Sequence, residues 1–225
     1  GYLMIIIIDY DTGNTRNLKK ALDFLGVENR LSADRDEILA ADGVILPGVG
    51  AFKKAMDALE DRNLVDVLRE VAKQGTPMLG ICLGMQLLFD RSLEFGDTKG
   101  LSLISGEVVA IPSDLGVKVP HMGWDQNNLK QPDPIAEVFD KQYSYFVHSF
   151  YVKTAPERIL ASVDYGVEIP SIVRQENVIG MQFHPEKSGD VGLAGFTKFK
   201  EMVSNADYSL SLIHISEPTR HSLIS

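Results

Sequence analysis

The stretch TPMLGICLGMQLLF, residues 76–89, decides the fold: an apolar strand over 76–81 gives way at Cys82 to a helical pattern over 83–89. Gly80 and Gly84 flank the joint, and glycine tolerates the tight backbone that such a turn needs. Outward from it, the same strand-then-helix unit recurs. Residues 4–9, MIIIID, precede a helical pattern over 14–25, and residues 43–46, GVIL, precede one over 51–72. Continuous apolar runs separated by amphipathic stretches suit a parallel sheet buried on both faces, so the class is α/β, with a central, mostly parallel sheet and helices on both sides. Over 101–180 the pattern shifts to short strand-like runs at 106–111, 145–152, 159–164, 171–173 and 178–183. These are expected to add antiparallel strands and loops to the same core, with 192–203 as a closing helix.

At 225 residues and 44% hydrophobic, the chain supports one sizeable core and hence one domain. A formal charge of -9 excludes nucleic-acid backbones and anionic membranes as partners, because either needs clustered Lys and Arg. The single cysteine, Cys82, cannot form an internal disulfide and suits a reducing cytosol. The apolar run over 3–8 stops at Asp9, short of the roughly 18 residues of a membrane span. A soluble, cytoplasmic protein is expected. Met4 reads as a natural start, so the domain is expected at 4–205, with 1–3 and 206–225 as non-native or gene-model additions. Residues 211–220, SLIHISEPTR, look like translated adaptor or vector text, and 207–225 show neither helical nor strand periodicity.

Gly80-Ile81-Cys82-Leu83-Gly84 is the cysteine counterpart of the Gly-x-Ser-x-Gly elbow, which exposes a nucleophile at a strand end. A helix beginning there favours the thiolate, and the backbone N–H groups beside the sulfur can receive an oxyanion. The alternative, a cysteine buried as a small hydrophobe, is the commoner fate of a lone cysteine, and the flanking glycines weigh against it. Farther on, the strand-like 178–183 runs into His184-Pro185-Glu186. An i, i+2 pair in extended chain projects to one side, so the Glu186 carboxylate can orient His184 as general base. His121, His148, His184 and Cys82 lack the paired spacing of zinc motifs, so no metal is expected. The glycine loop over 47–52, PGVGAF, lacks the Gly-Lys-Ser/Thr ending of a P-loop and has Lys53 where a dinucleotide fingerprint has its third glycine. Its better use is to offer backbone N–H groups to a substrate carbonyl.

PGVGAF (47–52), GICLGMQ (80–86) and GMQFHPEKSG (180–189) together resemble the class I, triad-type glutamine amidotransferases. Within that class, IDYDTGNTRN (8–17), VPHMGW (119–124) and YFVHSFY (145–151) are similar to the glutaminase subunits that feed imidazole glycerol phosphate synthases in histidine biosynthesis. The resemblance implies a flavodoxin-like fold and a Cys82, His184, Glu186 triad that hydrolyses glutamine to glutamate and ammonia without a cofactor. It implies an oxyanion hole at Leu83 and the Val49-Gly50 peptide, the latter reorienting before the hole is complete. Gly48, Gly50, Gln86, Ser149 and Phe150 are implied to hold glutamine. Trp124, Tyr145 and Lys187 match positions near the partner interface and the ammonia exit. The implied partner is a (β/α)8 cyclase subunit in a heterodimer, which makes imidazole glycerol phosphate and AICAR. Asp125 stands where that family often has asparagine, and Phe150 where tyrosine is common. Competing readings are a glutaminase subunit of another pathway, a catalytically idle regulatory subunit, and a redox-sensing cysteine protein.

Overall fold

A computed structural model describes residues 3–12 and 14–224, the side chains of 208–224 excepted. The expectations for Gly1, Tyr2 and Ser225 lie outside the described residues. The chain opens with β1 (Ile5–Ile8), α1 (Arg16–Phe24), β2 (Asn29–Ser32), α2 (Arg35–Ala40), β3 (Gly43–Leu46), α3 (Phe52–Asp61), α4 (Val65–Lys73), β4 (Met78–Ile81) and α5 (Leu83–Leu87). The helix expected over 51–72 is two helices, broken where Asn63 takes a φ of 56°. β2 and α2 were not anticipated, because NRLS is a polar edge strand with a single buried residue. The Asp34 carboxylate caps α2 by accepting from Glu37 N–H at 2.9 Å.

The second half contributes β5 (Arg91–Ser92), β6 (Thr98–Lys99), β7 (Glu107–Ala110), β8 (His121–Gln126), β9 (Asn128–Leu129), α6 (Pro134–Glu137), β10 (Tyr143–His148), β11 (Phe150–Lys153), β12 (Ile159–Asp164), β13 (Glu168–Gln175), β14 (Val178–Met181) and α7 (Gly189–Ile224). The main sheet runs β2-β1-β3-β4-β14-β13-β12-β9. Its first five strands are parallel, and β13, β12 and β9 extend it antiparallel. Two expectations are corrected here. The run over 178–183 is not an antiparallel addition: β14 pairs parallel with β4, Met181 opposite Ile81. The run over 145–152 is not one strand: it breaks at Ser149, β10 pairing with β8 in a ribbon and β11 with β7 in a small second sheet.

The alternation of strand side chains divides the core between the sheet's two faces. Ile6, Ile8, Val44, Leu46 and Met78 pack with residues of α2 through α5. Ile5, Ile7, Ile45, Leu79 and Ile81 pack with residues of α1, α6 and α7. Each such side chain, removed from water, contributes about 1.5–3 kcal/mol. Because β4 and β14 run parallel and in register, the residues that follow them, Cys82 and His184, leave the sheet at the same edge. That edge, outside the carboxyl ends of the strands, is where open α/β sheets place ligands.

The closing helix starts before the expected residue 192 and continues well past 203. No glycine or proline interrupts residues 196–217, and a helix once nucleated extends at little further cost. Among the described residues, Phe196, Phe199 and Val203 are its buried hydrophobic side chains on the sheet. A Cβ at Gly192 would fall 1.8 Å from the Pro185 carbonyl oxygen, so the first turns press against the segment carrying His184 and Glu186. Among the described residues no helix is long and apolar enough to cross a membrane. Phe199→Ala is expected to cost about 3–5 kcal/mol of unfolding free energy by urea titration. A cost below about 1 kcal/mol would mean that α7 is not part of the core.

Candidate active site

Cys82 sits between β4 and α5 with φ 55° and ψ -114°, a conformation non-glycine residues rarely adopt. The turn is clamped by Cys82 N–H donating to the Met181 carbonyl at 2.8 Å, and by Met85 and Gln86 N–H donating to the Cys82 carbonyl. A Cβ at Gly84 would lie 1.9 Å from the Leu46 carbonyl oxygen, and one at Gly80 would lie 2.6 Å from that of Gly84. Both glycines are therefore imposed by close backbone approach. Cys82 is 6% exposed, and its Sγ lies 3.7 Å from the Val147 carbonyl oxygen.

His184 Nδ1 and Glu186 Oε1 are 2.5 Å apart, so the carboxylate fixes a proton on Nδ1. The pairing does not come from extended chain, as expected, because Pro185–Lys187 forms a 3₁₀ turn that folds Glu186 back beneath the ring. His184 N–H donates to the Tyr145 carbonyl, and Ser188 Oγ donates to the His184 carbonyl at 2.6 Å. Nε2 is buried without a hydrogen-bond partner among the described residues. Burial opposes charge on this ring, but the Cys82 sulfur and the Glu186 carboxylate outweigh it and raise His184 from 6.5 to about 10. The ring therefore favours its charged, imidazolium form.

Cys82 and His184 open onto one cavity of about 330 Å³. Val49, Gly50, Leu83, Gln86, Ser149 and Phe150 line it too, so the structure brings together nearly every residue expected at the nucleophile, the hole and the pocket. Gly50 has φ 98°, a conformation open to glycine, and Val49 is half exposed. Leu83 is the first residue of α5, where N–H groups have no partner within the helix. Gln86 donates its amide to the Phe150 carbonyl at 3.0 Å and to Gln182 Oε1 at 3.2 Å, so it also braces the pocket wall. Gly48 faces instead a smaller cavity shared with Thr12, His184 and Glu186. There a Cβ would meet the Tyr10 hydroxyl at 2.7 Å, and that hydroxyl donates to the Pro47 carbonyl at the root of the glycine loop.

Trp124 and Lys187 are exposed and Tyr145 half-buried, away from the cavity lining. Trp124 opposes Tyr145 across the β8–β10 ribbon, their rings edge-on at 6.1 Å. With Met122 and Tyr143, also exposed, they leave one face of the ribbon apolar. Sequence reading missed Tyr10, Glu94, Val147 and the contribution of His148. Glu94 lines the cavity and accepts from Phe52 N–H at 2.8 Å, placing a carboxylate at the pocket, and nothing in its local sequence signals this. Among the described residues no group of three His, Cys, Asp or Glu side chains is arranged to hold a metal ion.

The family model for glutamine amidotransferase class-I matches residues 6–199. The chain is 66% identical over 202 residues to the imidazole glycerol phosphate synthase subunit HisH of Lacticaseibacillus casei (strain BL23), covering 90% of this chain and 97% of that one. It is 60% identical over 206 residues to the subunit of the same name from Lactiplantibacillus plantarum, covering 92% and 99%. Among solved structures, PurLQS from Thermotoga maritima superposes with a TM-score of 0.70 at 19% identity, covering 90% of this chain and 100% of that one, which is a likeness of fold.

Replacing Glu186 by Gln is expected to lower the His184 titration seen by NMR of the ring nitrogens. The sign follows from the raised value: stability from the charged ring is complete below pH 6.5 and is lost as pH rises through about 10. In Glu186→Gln that loss should begin at lower pH; an unchanged titration would remove the carboxylate from its assigned role.

Proposed function

Since the chain belongs to the class I glutamine amidotransferases, and within them to the imidazole glycerol phosphate synthase subunit HisH family, we propose that its glutaminase chemistry runs through Cys82, His184 and Glu186. The chain is an enzyme that hydrolyses glutamine and supplies ammonia for histidine biosynthesis. The single observation that carries the residue assignment is the strained elbow placing Cys82 in one cavity with a histidine already fixed by a buried carboxylate.

In the proposed reaction the Cys82 thiolate attacks the side-chain amide carbon of glutamine, and the carbonyl electrons move to oxygen. Leu83 N–H and the peptide joining Val49 to Gly50 serve that oxyanion. His184 Nε2 then delivers its proton to the amide nitrogen, the C–N bond breaks, and ammonia leaves a glutamyl thioester. A water molecule loses a proton to His184 and adds to the thioester; expulsion of the sulfur releases glutamate and restores the thiolate–imidazolium pair. Glu186 holds the ring throughout and stabilises its charge without taking the proton.

Substrate selection follows from the cavity lining. The Gln86 carbonyl, the backbone at Ser149 and Phe150, and Gly50 suit a polar amide and its α-carbon substituents. Glu94 suits the α-ammonium group, since a carboxylate at the pocket favours a cation there. Ammonia is useful only if captured before it is protonated and lost to solvent, so an acceptor site must lie where ammonia leaving the cavity can reach it. We assign that site to a (β/α)8 cyclase subunit docked on the ribbon face bearing Trp124 and Tyr145, with Lys187 at its margin. The apolar exposure of that face is what supports the reading.

Glutamate release should be strongly stimulated when the chain is mixed with the cyclase and its ribonucleotide ligand. Absence of turnover in a confirmed complex would point to an idle subunit. Cys82→Ala should abolish hydrolysis and keep the complex intact by gel filtration. Glu94→Gln should raise KM for glutamine about tenfold with a smaller change in kcat, on the scale of one charge-assisted hydrogen bond. An unchanged KM would take Glu94 out of the pocket's recognition.

A further inference from the structure

Two buried histidines stand in series from the pocket wall inward, His148 lining the cavity and His121 behind it, neither of them used by the triad. His148 Nδ1 lies 2.8 Å from the Phe150 carbonyl oxygen, the same oxygen that accepts from Gln86. His148 Nε2 lies 2.8 Å from His121 Nδ1, and His121 Nε2 lies 3.0 Å from Asp125 Oδ2. The other Asp125 oxygen accepts from Gln126 N–H at 2.8 Å. Both rings are buried, His121 between the rings of Tyr165 and Phe146, while Asp125 retains partial exposure on β8.

The protons in this series can be counted. A backbone carbonyl and an ionised carboxylate only accept, so all three contacts must be made by N–H groups of the rings or shared between them. Three contacts need three N–H groups, and two neutral imidazoles carry two. The series therefore closes only with one added proton, whose charge Asp125 balances. Without it, one contact faces two lone pairs and opens.

We propose that His148, His121 and Asp125 form a proton-dependent hydrogen-bond chain that positions the Phe150 carbonyl in the wall of the glutamine pocket. The proposal rests on the glutaminase reading of the cavity. His148 and His121 are positioning residues, acting through the wall rather than on the reacting atoms. The added proton belongs on His121. Burial drives His148 down to about 3, the Phe150 carbonyl pulling it up while the charges of His121 and His184 press it further down. Burial also lowers His121, and there the hydrogen bond and charge of Asp125 work in the opposite direction. Among the described residues, the other titratable ring packed on His121 is Tyr165, whose hydroxyl donates to the Lys118 carbonyl. The chain thus closes on the acidic side of the ordinary histidine range and loses one link above it. A wall held in place binds ligand more tightly, because less order has to be imposed on binding.

Asp125→Asn separates the proton from the packing. An amide of the same shape donates to an unprotonated His121 Nε2, so all three contacts close with two neutral rings at any pH. The experiment uses Cys82→Ala, which leaves glutamine intact, and compares it with Cys82→Ala/Asp125→Asn. Glutamine affinity is measured by calorimetry from about pH 5.5 to 8.5, spanning the ordinary histidine value. The ring nitrogens and the Phe150 carbonyl carbon are followed by NMR in the ligand-free proteins. His184 titrates equally in both, so the difference isolates the chain.

With Asp125 present, affinity should fall about five- to tenfold as the proton leaves, the scale of one hydrogen bond. The His121 ring and the Phe150 carbonyl should titrate together. In the Asp125→Asn protein that additional fall should be absent, leaving only the pH dependence that His184 gives to both. Identical pH profiles in the two proteins, or a His121 titration that leaves the Phe150 carbonyl unmoved, would overturn the proposal. If neither protein binds glutamine at any pH, the glutaminase reading fails, and the ring and carbonyl shifts still decide whether the chain exists.

Discussion

The left-handed backbone at Cys82 is the constraint on which the rest of the site depends. A non-glycine residue held there costs roughly 1–3 kcal/mol and persists only where its surroundings leave no alternative. Those surroundings are specific: β14 accepts the Cys82 N–H, α5 closes on the Cys82 carbonyl, and Gly84 lies against β3. The same β4–β14 pairing that clamps the elbow delivers His184 to the edge where the sulfur emerges. Strain at the nucleophile and placement of its base are thus consequences of one register.

Two histidines on the same cavity meet opposite fates. His184 and His148 are both buried, and burial by itself drives a proton off either ring. His184 has a sulfur and a carboxylate as neighbours and is lifted to about 10, whereas His148 has a carbonyl and other histidines and falls to about 3. The cavity therefore holds a cationic ring on the side of the chemistry and a neutral ring on the side of the wall. The difference is set by the groups that each ring touches, since their exposures are similar.

The parallel sheet was legible because its strands are uninterrupted apolar runs: MIIIID, GVIL and the run before Cys82 can be buried on two faces and on nothing else. The elbow and the His-Pro-Glu segment were legible because each compresses its chemistry into a few consecutive residues. β2 was not, since a polar edge strand carries no periodic signal, and β8 was not, since HMGWDQ has one buried side chain and its pairing with β10 spans a long connection. Glu94 and the His121–His148 contact were illegible for the same reason. They meet through the fold, and spacing in sequence says nothing about such encounters. The parallel pairing of β14 was misread because the strands around it in sequence are antiparallel, while its partner β4 lies about a hundred residues earlier.

The break at Ser149 divides one extended run between two sheets, with β10 on the ribbon that presents Trp124 and β11 on the small sheet with β7. Ser149 belongs to neither strand but its carbonyl accepts from Ile111 N–H beside β7, so its position answers to two bodies, the ribbon and the small sheet. The wall of the cavity is consequently a joint rather than a panel. Any ligand gripping the backbone at 149–150 must tension both bodies at once, and slower amide exchange in β7 as well as in β8 would register that tension far from the ligand.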